Sequence, residues 1–231
     1  MEVNDVLCFD IWLEIANLNS SAFAAVTSIN RDIRNYTNKN IEKYKKKFSI
    51  EIHKDSGGIK EKYFQLPNGD KHGLYQSWYD GGSPYANMTY IDGELEGHIQ
   101  TWYENRQLRE DAFFHEGKLE GLFQIWCEDG ELCEEVTFNN GVMHGAYQRW
   151  YGNDKLNIRC NYDNDKLHGL YQTFHMEGSS QLWEQYNWIN GVPTGLYQRW
   201  NNNGQLEIEC VLESHSILPL KIHKIHLNHE V

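Results

Sequence analysis

The sequence predicts a mainly β fold: an elongated, single-layer antiparallel sheet of stacked β-hairpin repeats, preceded by a small helical segment. Three observations predict it. One hexapeptide recurs six times, at spacings of 24, 24, 24, 24 and 26 residues. Tight-turn dipeptides such as Asp92-Gly93 and Asn140-Gly141 separate aromatic-rich stretches, a pattern typical of hairpins. Residues 1–47 instead contain no Gly and carry apolar residues at helical spacing.

The helical segment spans residues 1–47. Apolar residues three, four or seven positions apart put one apolar face on each of two or three short helices. The residues with this spacing include Ile11, Ile15, Leu18, Val26 and Ile29. About 45 residues make a marginal domain on their own, so we expect these helices to pack on the first hairpin or on a partner.

The repeat array spans residues 48–213. Each clear copy begins with an anchor glycine, and a degenerate copy starts at Ser49, 24 residues before the first anchor. The anchor glycines are Gly73, Gly97, Gly121, Gly145, Gly169 and Gly195. Residues 214–231 are interpreted as a C-terminal capping tail.

A Gln stands three residues after every anchor glycine, and an aromatic residue stands five residues after it. The Gln residues are Gln76, Gln100, Gln124, Gln148, Gln172 and Gln198. The aromatic residues are Trp78, Trp102, Trp126, Trp150, Phe174 and Trp200. Side chains alternate along a strand, so both sets are expected on one sheet face as parallel stripes. The structural interpretation has Trp packing on neighbouring repeats and Gln bonding the intervening strand; a peptide-binding platform is the alternative.

Charge and motifs exclude several function classes. The net charge is −12, and residues 73–213 alone carry eight basic and 22 acidic side chains, a net −14. A field of this sign repels phosphate backbones and anionic lipids, so we expect neither nucleic acid nor membrane as a partner. P-loop, GxSxG and HExxH motifs do not occur in the sequence. We therefore expect a non-catalytic protein with no cofactor and no metal site.

The five cysteines are odd in number, and no pair has CxxC spacing. This usage fits reduced thiols in the cytoplasm better than a disulfide framework. Cys127 and Cys133 flank a predicted turn, so a disulfide across that turn is the alternative.

The recurring pattern GLYQxWY…NGxLxxExxF…NGKLHG resembles the MORN repeat (membrane occupation and recognition nexus), in its variant with a period of 24 residues. The resemblance covers residues 48–213. It implies an elongated single-layer sheet that serves as a scaffold or binding surface. Phosphoinositide binding is proposed for some family members, and the acidic balance of this chain argues against that role.

The helical segment is similar to an F-box in its order of Leu, acidic residue, Ile-Trp and Ile, followed by a second apolar helix. It departs from the family at Cys8, Ala22 and Ile33, where Pro, Asp and Trp are usual. The resemblance implies a face that docks on the Skp-type linker of a cullin ubiquitin ligase. That face would consist of Leu7, Ile11, Trp12, Ile15, Leu18, Val26 and Ile29. An F-box-like head followed by such repeats resembles proteins of giant DNA viruses that infect amoebae.

These resemblances favour a substrate adaptor, in which the head binds the linker and the sheet binds an unidentified target protein. One alternative is a structural or virion-associated scaffold whose helices only cap the sheet and which self-associates through sheet edges. Another is a protein that neutralises a basic toxin through its acidic surface. The adaptor would act in the cytoplasm, which is the host cytoplasm for a viral protein.

Overall fold

The structure, a computed structural model, describes residues 49–66, 68–152, 154–176 and 181–212, together with the backbone of Lys224–Ile225. Every regular element in these ranges is a β-strand, and every pairing given below is antiparallel. The prediction of a mainly β, antiparallel sheet fold is therefore confirmed for the described residues. The predicted helices of residues 1–47 lie outside them. The chain divides into two compact units, Met1–Gly97 and His98–Val231.

Eighteen strands follow one another along the described chain. In chain order they are β1 Ile50–Ser56, β2 Ile59–Gln65, β3 Gly73–Tyr79, β4 Pro84–Ile91, β5 Glu94–Leu95, β6 Gly97–Trp102, β7 Leu108–His115, β8 Lys118–Leu119, β9 Gly121–Trp126, β10 Leu132–Asn139, β11 Val142–Trp150, β12 Leu156–Asp163, β13 Lys166–Leu167, β14 Gly169–Phe174, β15 Leu182–Ile189, β16 Val192–Trp200, β17 Leu206–Leu212 and β18 Lys224–Ile225.

In the first unit, β1 to β5 form a meander in which each strand pairs with the next. The hairpin β1–β2 lies where the degenerate repeat is expected, with Ile50 opposite Gln65. Its turn is Gly57-Gly58, and both residues have positive φ. The buried core of this unit is Tyr63, Tyr75 and Ala86, all on one sheet face.

In the second unit, β7 pairs with β8 and β9, and the meander continues through β10, β11, β12, β14, β15, β16 and β17. β18 pairs with β17, with Lys224 opposite Glu209. The most buried apolar residues again share one face. They are Ile99, Ala112, Val136, Cys160 and Cys210. We call the face that carries these buried residues the tyrosine face, because Tyr147, Tyr171 and Tyr197 also lie on it. We call the opposite face the glutamine face.

The turns that end each repeat have the geometry predicted for Asn-Gly and Asp-Gly. Asn140 and Gly141 have φ of 51° and 83°, and Asn190 and Gly191 have φ of 52° and 80°. Two consecutive positive φ values define a type I′ turn, whose twist matches paired strands. The Gly141 amide also donates to the Leu119 carbonyl at 2.9 Å. Each such bond connects the turn to the short strand that comes just before the anchor glycine of the same repeat.

In the repeats anchored at Gly73, Gly97 and Gly121, the first turn brings together the residues six and twelve positions after the anchor. In successive repeats this pair is two packed tyrosine rings (Tyr79 and Tyr85, 5.2 Å), a guanidinium over a ring (Arg109 and Tyr103, 5.9 Å) and a disulfide (Cys127 and Cys133). The disulfide corrects the expectation that all thiols are reduced. Its cause is the hairpin register, which places the two Cα atoms 5.6 Å apart, within disulfide range.

Replacing Arg106 by Gly is expected to stabilise the protein by about 0.5–1 kcal/mol. Arg106 is exposed and has a φ of 70°, whereas Gly82, Gly130 and Gly204 occupy the same turn position in other repeats. Relief of the left-handed strain should exceed the entropy that Gly adds to the unfolded chain. Urea unfolding of wild type and variant measures the difference. A lower midpoint for R106G would show that the backbone at this turn is not strained.

Candidate functional site

All six anchor glycines have positive φ, from 75° at Gly195 to 104° at Gly145. A Cβ added at Gly97, Gly121, Gly169 or Gly195 would meet no atom within 4 Å. Glycine is therefore required by the backbone conformation and not by lack of space. Several of the anchors lie opposite an aromatic residue of the next strand, as Gly169 lies opposite Trp188.

The predicted Gln stripe is one part of a longer polar row on the glutamine face. In the second unit, each member of the row lies directly opposite the next on the neighbouring strand. In order across the sheet they are Asp111, Gln124, Glu135, Gln148, Arg159, Gln172, Gln185, Gln198 and Glu209. We call this row the polar ladder.

Side-chain hydrogen bonds join many of these neighbours. Gln124 Nε2 donates to Glu135 at 2.8 Å. From Arg159 onward the bonds are continuous: the guanidinium donates to Gln172 Oε1 at 2.7 Å, Gln172 Nε2 donates to Gln185 at 3.0 Å, Gln185 to Gln198 at 3.0 Å, and Gln198 to Glu209 at 2.9 Å. This series of hydrogen bonds runs from the Arg159 cation to the Glu209 carboxylate, so every side-chain amide dipole in it points the same way. These amides are engaged with the sheet itself.

Replacing Gln185 by Leu is expected to lower the free energy of unfolding by about 1–2 kcal/mol, because the Gln172 side-chain amide nitrogen and the Gln198 side-chain oxygen lose their hydrogen-bond partners. Both lost bonds are partly buried. Urea denaturation measures the change. The control is Gln107→Leu, an exposed glutamine outside the ladder, for which a change under about 0.5 kcal/mol is expected. Equal losses in the two variants would mean that the ladder contributes nothing specific.

The predicted aromatic stripe lies at the end of the strands, on the same face as the Gln residues. Trp126 lies opposite Leu132, and Trp200 lies opposite Leu206. Their backbone carbonyls receive bonds from the preceding repeat: Tyr103 Oη donates to the Trp126 carbonyl at 2.8 Å. His175 Nε2 bonds the Trp200 carbonyl at 3.0 Å. This position therefore joins one repeat to the next.

The glutamine face also carries an exposed apolar row that the sequence did not predict. It occupies the position directly after the anchor glycine. In the second unit its members are Leu122, Leu170 and Leu196, which are 46%, 41% and 46% exposed; in the first unit, Leu74 has the same repeat position and is 43% exposed. The recurrence of Leu there was the available signal, but a repeat pattern alone does not distinguish an outward from an inward apolar side chain. We call these residues the leucine row.

The tyrosine face carries a run of ring contacts. Tyr147 packs edge-on against Tyr162 at 5.8 Å, and Tyr171 lies 5.2 Å from Tyr186. Burial raises the pKa of Tyr147 and of Tyr171 to about 12. The pKa of Tyr197 is also raised to about 12, by burial and then by its hydroxyl's 2.9 Å bond to the Glu184 carboxylate. These phenols therefore stay protonated far above neutral pH.

The predicted linker-binding residues, Leu7 to Ile29, lie outside the described residues. Within the described ranges, no group of three or more His, Cys, Asp or Glu side chains could hold a metal ion. Nor does any helix long and apolar enough to cross a bilayer occur in that part of the chain.

One family model matches the chain: the MORN repeat variant, over residues 143–164. This segment contains the anchor Gly145, Gln148 and Trp150, and it runs from β11 to the turn after β12. It is the 24-residue motif identified from the sequence. No curated protein matches the chain.

Two similar solved structures are of TarM. The S. aureus TarM G117R mutant, in complex with fondaparinux, α-GlcNAc-glycerol and UDP, is 17% identical with a TM-score of 0.28 and covers 58% of this chain. A second crystal structure of TarM is 13% identical with a TM-score of 0.23 and covers 69% of this chain. This chain spans 23% of the length of either TarM chain. Similarities this weak carry no argument about function.

Proposed function

We propose that the chain is a non-catalytic interaction module that binds a partner protein on its glutamine face. The observation that supports this is the leucine row of the second unit, which puts a leucine at one fixed position in three repeats and leaves each side chain more than 40% exposed. Isolated exposed leucines are ordinary, but exposed leucines that recur at one repeat position on a sheet face indicate an interaction surface. The MORN match at residues 143–164 agrees with a repeat of this kind.

The polar ladder lies beside this row and supports the same proposal. Its amides bond one another, so a partner need not replace those bonds when it covers the face. An apolar row next to a satisfied polar row is the composition that protein interfaces use.

The test is binding of a partner recovered from the native source by crosslinking to the full chain. The variant is Leu122→Ser combined with Leu170→Ser and Leu196→Ser, which removes most of the row without touching the buried face. We expect at least a tenfold loss of affinity with an unchanged urea midpoint. The control, Met176→Ser, removes an even more exposed apolar residue that follows the end of β14 and lies outside the row. Equal affinity of the triple variant and wild type would refute the proposal.

The adaptor role extends this proposal to residues 1–47. The apolar face of Leu7, Ile11, Trp12, Ile15, Leu18, Val26 and Ile29 would bind a Skp-type linker, and other subunits would transfer ubiquitin to the protein held on the sheet. The support is the F-box similarity of the sequence. Trp12→Ala with Ile15→Ala should abolish linker binding in a pull-down while leaving binding on the leucine row intact. Unchanged linker binding by that double variant would sink the adaptor role alone.

A further inference from the structure

The first unit holds a lysine within a cluster of tyrosines. Lys71 Nζ lies 4.4 Å from the ring centroid of Tyr75, 4.9 Å from that of Tyr63 and 5.1 Å from that of Tyr90. An ammonium at such distances is attracted by the negative faces of the rings. Lys71 stands two residues before its anchor glycine and pairs with Gln65. The tyrosine face of this sheet can therefore hold a cation.

Strands β15 and β16 have the same arrangement of rings without the lysine. Tyr186 corresponds to Tyr63, because each tyrosine comes directly after a residue that lies opposite a ladder-position glutamine. Those pairs are Gln185 with Gln198 and Lys62 with Gln76. The rings of Tyr186 and Tyr197 are 5.5 Å apart, and those of Tyr63 and Tyr75 are 5.9 Å apart.

Pro193 has the repeat position of Lys71, two residues before its anchor glycine, and it is exposed. Pro193 lies opposite Trp188, and Lys71 lies opposite Gln65. Trp188 adds a third ring, 5.7 Å from Tyr186. We call Tyr186, Trp188 and Tyr197 the open aromatic cluster.

A carboxylate borders this cluster. Glu184 accepts the hydroxyl bond of Tyr197 at 2.9 Å and precedes Tyr186 by two residues on the same face. Arg199 lies opposite Glu184, and its Nε pairs with Glu207 at 3.5 Å. Among the described residues, no Lys or Arg side chain lies over the three rings as Lys71 does in the first unit. The rings are half-buried, so part of each is open to solvent.

We propose that the open aromatic cluster is a binding site for a lysine or arginine side chain of a partner protein. The partner's cation would take the place that Lys71 takes in the first unit, over the rings and beside Glu184. The net −14 of residues 73–213 favours the approach of a basic partner. This site lies on the tyrosine face and does not depend on the leucine row, so it is a second contact surface beyond the proposed function.

The test is a titration of the full-length chain with a short capped peptide of alternating glycine and arginine, followed by ¹⁵N NMR of the tryptophan indoles. We expect the Trp188 indole signal, assigned by its loss in Trp188→Leu, to shift saturably. The same peptide with citrulline in place of arginine keeps the shape without the charge and should leave that signal unmoved. Shifts of equal size with both peptides would overturn the proposal.

Pro193→Lys is the decisive variant, because it supplies an internal ammonium at the position of Lys71. We expect it, like Trp188→Leu, to weaken arginine-peptide binding at least about fivefold, which is the worth of about 1 kcal/mol of cation–aromatic attraction. Trp126→Leu, on the opposite face, is the matched control and should bind as wild type does. Wild-type affinity in Pro193→Lys, or shifts confined to glutamine-face tryptophans, would overturn the site.

The leucine-row triple variant separates the two proposals. It should bind the arginine peptide normally while losing the crosslinked partner. If the arginine peptide does not bind wild type but the crosslinked partner does, only the proposal of the cation site is refuted. Loss of peptide binding in the triple variant would show that the site is not independent and would overturn it as described.

Discussion

Replacing Gly169 by Val is expected to lower the free energy of unfolding by roughly 2–3 kcal/mol. Gly169 has a φ of 85°, which a β-branched residue adopts only with strain. An added Cβ would meet no atom within 4 Å, so the Cβ itself adds no steric clash and the strained backbone conformation is the expected cause of the loss. Equilibrium urea unfolding measures the change.

Two further variants isolate this cause. Gly169→Asn should cost less than half as much, because Asn tolerates positive φ better than other side chains. Gly81→Val is the matched control: its Cβ also meets open space, but its φ is not in the positive region, so we expect a change within about 0.5 kcal/mol. If Gly169→Val is as stable as wild type, the anchor glycines are not conformational requirements.

Stability is expected to fall steeply as the pH rises from 10 toward 12. The ordinary tyrosine pKa is 10.0, and burial raises the pKa of Tyr147, Tyr171 and Tyr197 to about 12 in the folded chain. The unfolded chain therefore loses these protons first, and its deprotonation favours unfolding across that window. Below pH 10 all three phenols are protonated in both states, so their contribution is fully present. These phenols are only partly buried, so solvent screening keeps the contribution of each below about 2.7 kcal/mol.

The measurement is the urea midpoint at several pH values, alongside the near-ultraviolet absorbance of tyrosinate. Tyr147→Phe removes one of the three phenols and keeps the ring, so its stability should decline less than that of wild type over the same window. If the urea midpoints of variant and wild type decline equally with pH, the Tyr147 phenol has the same pKa in the folded and unfolded chain. Coincident tyrosinate formation and unfolding would support the raised pKa values.

The two proposals place partner contacts on opposite faces of the sheet. The leucine row and polar ladder occupy the glutamine face, while ring clusters occupy the tyrosine face. In the first unit Lys71 lies over such a cluster, whereas Pro193 has the equivalent position beside the open aromatic cluster, over which no described Lys or Arg side chain lies. The difference between repeats, more than their common motif, is therefore where partner specificity is expected.

The candidate site was only partly predictable. Alternation correctly placed Gln172 and Gln198 on one face, since a strand's side chains repeat every two residues. It did not reveal that Arg159 and Gln185 continue the same row, because these residues stand on the intervening strands, where the repeat varies. The cation-binding cluster was also hidden: Lys71 and Pro193 share a repeat position, but only the ring positions show what that position faces.

The sequence by itself determined the mainly β fold, the repeat period and the turn positions. These depend on local chemistry: Asn-Gly dipeptides at turns and glycine wherever φ is positive. Only the tertiary structure decided which face buries its side chains, that Leu122 and Leu170 point outward, and that Cys127 meets Cys133. Those outcomes depend on strand register and on neighbours far along the chain, because a side chain's surroundings in a sheet come mostly from adjacent strands.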